Sequence, residues 1–199
     1  MGQYYKAVLI DHHLKKKVFT SYDYESFAKL TEHGWIHNFM CDAVCYDLLD
    51  EPKSVAWVGD YAEADDETDK NNSYYDVNSR KIFIDAAWNE DEKKHRKVKK
   101  ALLDYDGLYI INHTKEEIIV MDDYIENNKT EEGWCLHPLA ILTAMGNGKG
   151  GGDYHGINMD LVGSWSTDLI STTYNTQKIK DLISKNYKCL SDRMFVEGR

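Results

Sequence analysis

The sequence contains no run of about eighteen apolar residues, so it offers no candidate transmembrane helix. It does not open with basic residues followed by an apolar stretch, which is the order of a secretory leader. Met1-Gly2 begins like a myristoylation signal, but Lys6 stands where that signal needs Ser or Thr. A cytoplasmic setting without membrane attachment is expected. Cysteine is sparse and irregular: Cys41, Cys45, Cys135 and Cys189 include no Cys-x-x-Cys pair, which speaks against a disulfide framework or a zinc ribbon and for reduced thiols. Basic residues are also in deficit. With 24 Lys and Arg against 34 Asp and Glu, the net charge of −10 argues against general nucleic-acid binding, which needs a cationic surface. No repeat of solenoid length is present.

What remains is a chain of 199 residues, 42% hydrophobic, enough for one core, and residues 1–199 read as one domain. Residues 4–10 and 17–22 are β-branched and aromatic and predict an opening hairpin. Residues 36–50 place Ile36, Phe39, Met40, Ala43, Val44 and Leu48 at helical spacing. Residues 54–59 read as a buried strand that delivers Asp60, and an acidic loop follows over about 60–80. Residues 89–103 carry acids first and bases afterwards, the polarity of a solvated helix. A second hairpin is expected from 108–112 and 117–121; the apolar run 136–145 is too short to reveal its period and fits a buried strand or, as the preferred reading, a short helix with Pro138 in its first turn, stopped by Gly146. Alternation over 159–170 suggests a strand with Asp168 on the face opposite Trp165. The tail, 176–199, reads as a short helix and an extended end. The expected fold is α+β, mainly antiparallel with a few covering helices.

Residues 145–156, MGNGKGGGDYHG, hold six of the thirteen glycines, too many for a plain connection. Repeated glycines permit positive φ and leave backbone N–H groups unshielded, as in anion-binding nests. Gly148, Lys149, Gly150, Gly151, Gly152, Asp153 and Tyr154, with His137 and Trp165 beside them, are therefore the candidate ligand-binding set, and the loop is expected to pack beside Trp57, Trp134 and Trp165. A P-loop is absent because Gly152, not lysine, follows Gly151, and the Gly146, Gly148, Gly151 spacing alone does not make a dinucleotide fingerprint. Asp60, Asp153 and Asp168 are the catalytic candidates if their elements converge near His137 or His155, where they would bind a divalent ion or act as general acid and base. His33, His37, Cys41 and Cys45 recur every four residues, but each step climbs about 6 Å along a helix, too far for one ion. No metal site is predicted there, and no motif names a cofactor.

MGQYYK at 1–6, VGDYA at 58–62, INHTKEEIIV at 111–120, HPLAILTAMGNGKGGGDYHG at 137–156 and VGSWSTDLIS at 162–171 together resemble a family of small proteins met in bacteria and bacteriophages. Its members open MGQYYK or MGQYWK and carry GNGRGGGD, G-x-W-x-x-D and GDYA elements. The resemblance implies an intracellular setting in a bacterial host, on a mobile element or phage, and attaches no activity to these residues. Aromatics beside a backbone nest suit a base-plus-phosphate ligand. The first functional expectation is therefore a small nucleotide-like ligand, sequestered by a phage anti-defence protein. The alternatives are a metal-assisted hydrolase of a phosphate-containing substrate and an acidic inhibitor of a host nucleic-acid-binding protein acting through residues 60–76. A homo-oligomer is compatible with either.

Overall fold

In a computed structural model, which describes residues 1–25, 29–64, 77–88, 101–190 and 195, the chain forms one mixed, mostly antiparallel sheet covered by helices on both faces. The strands are β1 (Tyr5–Ile10), β2 (Lys16–Phe19), β3 (Lys53–Gly59), β4 (Tyr109–Asn112), β5 (Glu117–Val120), β6 (Ala144–Met145), β7 (Leu169–Thr173) and β8 (Lys188–Cys189). Their order is β2-β1-β3-β7-β4-β5-β8, and β6 also joins β3. β3 is the hinge of this arrangement. One edge pairs along its length with β1, whereas the other is shared, Lys53 and Ser54 pairing with β7 and Trp57 and Val58 with β6.

Alternation along the strands sorts the core into layers. Tyr5, Ala7 and Leu9 of β1, with Val55 and Trp57 of β3, face the main cluster. On that side lie α3 (Phe39–Asp47) and α6 (Pro138–Leu142), and Met121 and Tyr124 of α5 (Met121–Asn128) join the same cluster. Val8, Ile10, Ala56 and Val58 point the other way, onto Phe83, Ala86 and Ala87 of α4 (Val77–Trp88). Further along that second face, Ile111 and Ile118 pack on Ile179 of α7 (Thr176–Ser184). Cover on both faces explains why every residue of β1 is buried.

Local chemistry sets the element ends. The Asn38 side chain accepts the Met40 N–H at 2.9 Å and starts α3, and the Asn175 side chain accepts the Lys178 N–H at 3.0 Å and starts α7. α6 begins with Pro138 at its first position, where a missing N–H costs nothing. The helix ends at Leu142, and Ala144–Met145 continue as strand before Gly146 turns at φ +91°.

The hairpins, α3, β3, α7 and the α+β class agree with the sequence reading. Residues 159–168 do not form a strand. Positive φ at Asn158, Gly163 and Thr167 coils Met159–Leu161 into a 3-10 turn and the following residues into tight turns, so β7 begins only at Leu169. Nor are Trp165 and Asp168 split between faces: the Trp165 indole bonds Glu117, whose charge acts on the Asp168 carboxyl. α4 had no counterpart in the sequence reading. The charged segment 89–100 and most of the acidic loop, 65–76, lie outside the described residues. Among the described residues no helix is long and apolar enough to cross a membrane.

Candidate functional site

The glycine loop forms a nest, and the chain supplies its anion. The N–H groups of Gly148, Lys149 and Gly150 all donate to Oδ2 of Asp153, at 2.8, 2.9 and 2.9 Å, while the Tyr5 hydroxyl donates to Oδ1 at 2.8 Å. Asn147 closes the turn from below, accepting the Tyr154 N–H and donating to the Tyr154 carbonyl. Asp153 is buried, and Lys149 reaches outward to Glu63 at 3.3 Å. The three amides expected to meet a ligand are thus turned inward onto a residue of the loop itself.

The glycines serve the chain's opening residues. Gly2 bridges Gly151 in parallel fashion, with Gly151 N–H donating to the Met1 carbonyl at 2.9 Å and Gln3 N–H to the Gly151 carbonyl at 3.0 Å. A Cβ on Gly150 would lie 2.5 Å from Gln3 Cβ and 2.8 Å from its backbone nitrogen, and at Gly152, where φ is +87°, it would strike the Lys29 side chain. Gly151 has no such constraint, its nearest neighbour being 3.6 Å away. The Thr31 N–H and hydroxyl both reach the Gly152 carbonyl. The Gln3 side chain is fully buried against Gly59, and among the described residues neither of its amide atoms has a hydrogen-bond partner.

The three candidate aspartates do not converge. Asp60 accepts the Tyr4 N–H just beyond the end of β3, near the loop. Asp168 sits at the other end of that strand, its carbonyl accepting the Val55 N–H, five residues from Asp60 and therefore roughly 17 Å away along the strand. The tryptophans are also dispersed. Trp57 is buried in β3, Trp134 packs at a tilt against Trp35 at the surface, and Trp165 bonds Glu117.

His137 belongs to a different network. Its Nδ1 accepts the Leu139 N–H at 3.2 Å as the cap of α6, and its Nε2 lies 3.4 Å from Cys45 Sγ. Complete burial lowers the imidazole to about 3, so the ring is neutral, and with Nδ1 accepting, its one proton sits on Nε2. Nε2–H therefore points at the sulfur and has no lone pair to take a proton from it. Burial also pushes the Cys45 thiol well up, so this Cys–His contact is not a nucleophile-and-base pair. Below it, Asp42 is fully buried, accepting the Tyr105 hydroxyl at 2.5 Å and the Leu103 N–H at 3.0 Å. His37, at φ +65°, precedes α3 and breaks the histidine and cysteine spacing. Among the described residues no group of three or more His, Cys, Asp or Glu is arranged to hold a metal ion.

Asp168 lies in the arrangement with the most usable chemistry. Asn112 Nδ2 donates to its Oδ2 at 2.7 Å, while Asn112 Oδ1 accepts the N–H groups of Thr114 and Lys115 and so fixes the β4–β5 turn. Trp165 Nε1–H donates to Glu117 Oε2 at 2.6 Å. Burial raises the Asp168 carboxyl to about 6; the Asn112 bond and Lys115 oppose that rise, and Glu117 adds to it. Among the described residues Oδ1 has no hydrogen-bond partner. Lys115 and Glu117 are half-buried and open this corner to the surface. Sequence reading singled out Asp168 and Trp165 but passed over Asn112, Lys115 and Glu117. The visible signal was the hairpin turn Asn112-His-Thr-Lys115, whose first residue is a turn former as readily as a carboxylate partner. No family model, no curated protein and no solved structure matches the chain.

Proposed function

We propose that the protein is a hydrolase working by general acid–base chemistry at the Asn112–Glu117–Trp165–Asp168 corner, acting on a small phosphate-containing substrate. One observation carries this reading. Asp168 is a buried carboxyl that burial raises to about 6, and among the described residues one of its oxygens, Oδ1, has no hydrogen-bond partner. Such a group donates a proton to a leaving oxygen at physiological pH, which an ordinary aspartate does not. Glu117, aimed by the Trp165 indole, is the partner that takes a proton from the attacking water; the water oxygen bonds to phosphorus as the bond to the leaving oxygen breaks. Lys115 supplies a positive charge for the phosphate. The glycine loop enters this reading only as scaffold, because its amides are engaged by Asp153.

The test is a set of chromogenic p-nitrophenyl esters (phosphate, phosphodiester and acetate) assayed from pH 4 to 9 with wild-type protein, Asp168→Asn and Glu117→Gln. Turnover of a phosphate ester with a limb centred near pH 6 that disappears in Asp168→Asn supports the reading. Turnover of none of them, or equal turnover by wild type and Asp168→Asn, removes it and leaves Asp168 as a brace between β4 and β7.

A further inference from the structure

The β1–β2 hairpin ends in a cationic tip that shares no residue with the Asp168 site. Residues 12–17 read His-His-Leu-Lys-Lys-Lys and are all exposed, and all 34 Asp and Glu of the chain lie outside them, so the tip is an island of positive charge on an acidic protein. Lys17 is committed to Asp47, but among the described residues Lys15 and Lys16 have no ion-pair partner. The rings of His12 and His13 lie beside them, 3.8 Å apart. The one neighbouring acid, Asp11, is engaged by the turn itself, its Oδ1 accepting the N–H groups of His13 and Lys15 at 2.8 and 2.9 Å. The tip extends past the last strand pair, Ile10 with Lys16, and β2 is the outermost strand on its side of the sheet.

Its apex is a leucine. Leu14 is 76% exposed and holds φ at +61°, fixed there by its N–H to the Asp11 carbonyl at 2.9 Å and by the Asp11 N–H to the Lys15 carbonyl at 3.1 Å. Hairpin turns place Gly, Asn or Asp in this left-handed conformation, where a larger side chain is strained. A turn that only joined two strands would take one of those residues. Leu14 is unfavourable here twice, in its backbone and in its contact with water, and a purely ionic partner would relieve neither. An apolar layer lying just beneath a sheet of negative charge covers the side chain and meets the lysines around it.

We infer that the tip of the β1–β2 hairpin docks on an anionic lipid surface, Leu14 entering the headgroup boundary while Lys15 and Lys16 face the lipid phosphates. Nucleic acid fits the tip less well. Residues 12–17 include no arginine, no amide and no Phe, Tyr or Trp with which to read or stack a base, and a long phosphate chain would run on against the acidic body. A projecting tip keeps that body off the membrane, and salt screens its repulsion beyond about 8 Å. The contact is reversible and needs neither a lipid anchor nor a spanning helix, the two features whose absence led the sequence reading to expect no membrane attachment.

The test is flotation of the full chain with vesicles of phosphatidylcholine alone or mixed in equal parts with phosphatidylglycerol. Wild type is compared with Lys15→Gln/Lys16→Gln, with Leu14→Gly and with Lys180→Gln/Lys185→Gln, which removes two exposed lysines elsewhere. Leu14→Gly deletes the apolar side chain and relaxes the left-handed backbone, so the turn keeps its shape, and circular dichroism verifies each fold. Wild type should float with the mixed vesicles and not with phosphatidylcholine. Lys15→Gln/Lys16→Gln and Leu14→Gly should each weaken that binding about tenfold, and Lys180→Gln/Lys185→Gln should leave it unchanged. No binding to the mixed vesicles, or equal binding by wild type and both tip variants, overturns the inference. So does a single-stranded oligonucleotide or a polyglutamate peptide that binds wild type as tightly as the mixed vesicles do, since either outcome would make the tip a site for a different anion.

Discussion

At the level of single residues, two buried groups titrate in opposite senses. Asp168 ionises near 6 in the fold against about 4 in an unfolded chain, so the native state holds the extra proton between those values. Its stabilising contribution is complete at low pH and is lost as pH rises through 6. His137, lowered to about 3, behaves in reverse: its contribution is present above about 6.5 and disappears as pH falls toward 3. Two variants separate these effects in melting curves taken from pH 3 to 8. Asp168→Asn should be least harmful, or even stabilising, at pH 8 relative to pH 5. His137→Asn, which keeps a capping oxygen, should flatten the loss of stability on acidification below pH 6. Parallel melting curves for wild type and both variants would contradict these assignments. Asp168 was legible as a candidate in the sequence because it lies in a Trp-x-x-Asp turn, but its partners were not. The carboxyl of Glu117 and the amide of Asn112 reach it only once β4, β5 and β7 have paired, and no spacing in the chain encodes that pairing.

At the level of elements, helix α3 shows what periodicity reveals and what it hides. The helical spacing of Ile36, Phe39, Met40, Ala43, Val44 and Leu48 located the helix, and it puts Phe39 on the apolar face and leaves Asp42 off it. The fold reverses that order: Phe39 is only half-buried, and Asp42 is fully buried as the acceptor for Tyr105 and Leu103. Asp42→Ala, which strands both donors, should cost on the order of 3 kcal/mol in urea unfolding. Phe39→Ala should cost less, about 1–2 kcal/mol. The glycine loop gives a second ordering. Gly150→Ala pushes a methyl group into the Gln3 backbone and should lower the melting temperature clearly, whereas Gly151→Ala finds ordinary van der Waals space and should melt close to wild type. A Gly151→Ala protein as damaged as Gly150→Ala would show that residues 1–3 do not lie on the loop through Gly150. Composition announced the loop. It did not announce that residues 1–3 lie upon it, because a glycine that admits a neighbouring backbone looks the same in sequence as one that admits a ligand.

At the level of the molecule, both faces of the sheet are covered, and the chemistry of the thiols follows from that cover. Cys41, Cys45 and Cys135 are buried and their thiols are pushed up, the last to about 12, while Cys189 lies exposed on β8. Ellman's reagent should therefore titrate one thiol quickly in native protein and all four after denaturation. Two or more fast thiols in the native state would mean that the main core opens readily. The Tyr5 hydroxyl bond to Asp153 spans 148 positions of sequence, and Met1 and Gln3 bind the same late loop. A ribosome emits residues 1–5 long before the loop at 147–153 on which they settle. β1 pairs early with β2 and β3, but the Tyr5–Asp153 bond and the seating of residues 1–3 on the loop close only once residue 153 has emerged, so the last step of folding is a long-range closure that slows it.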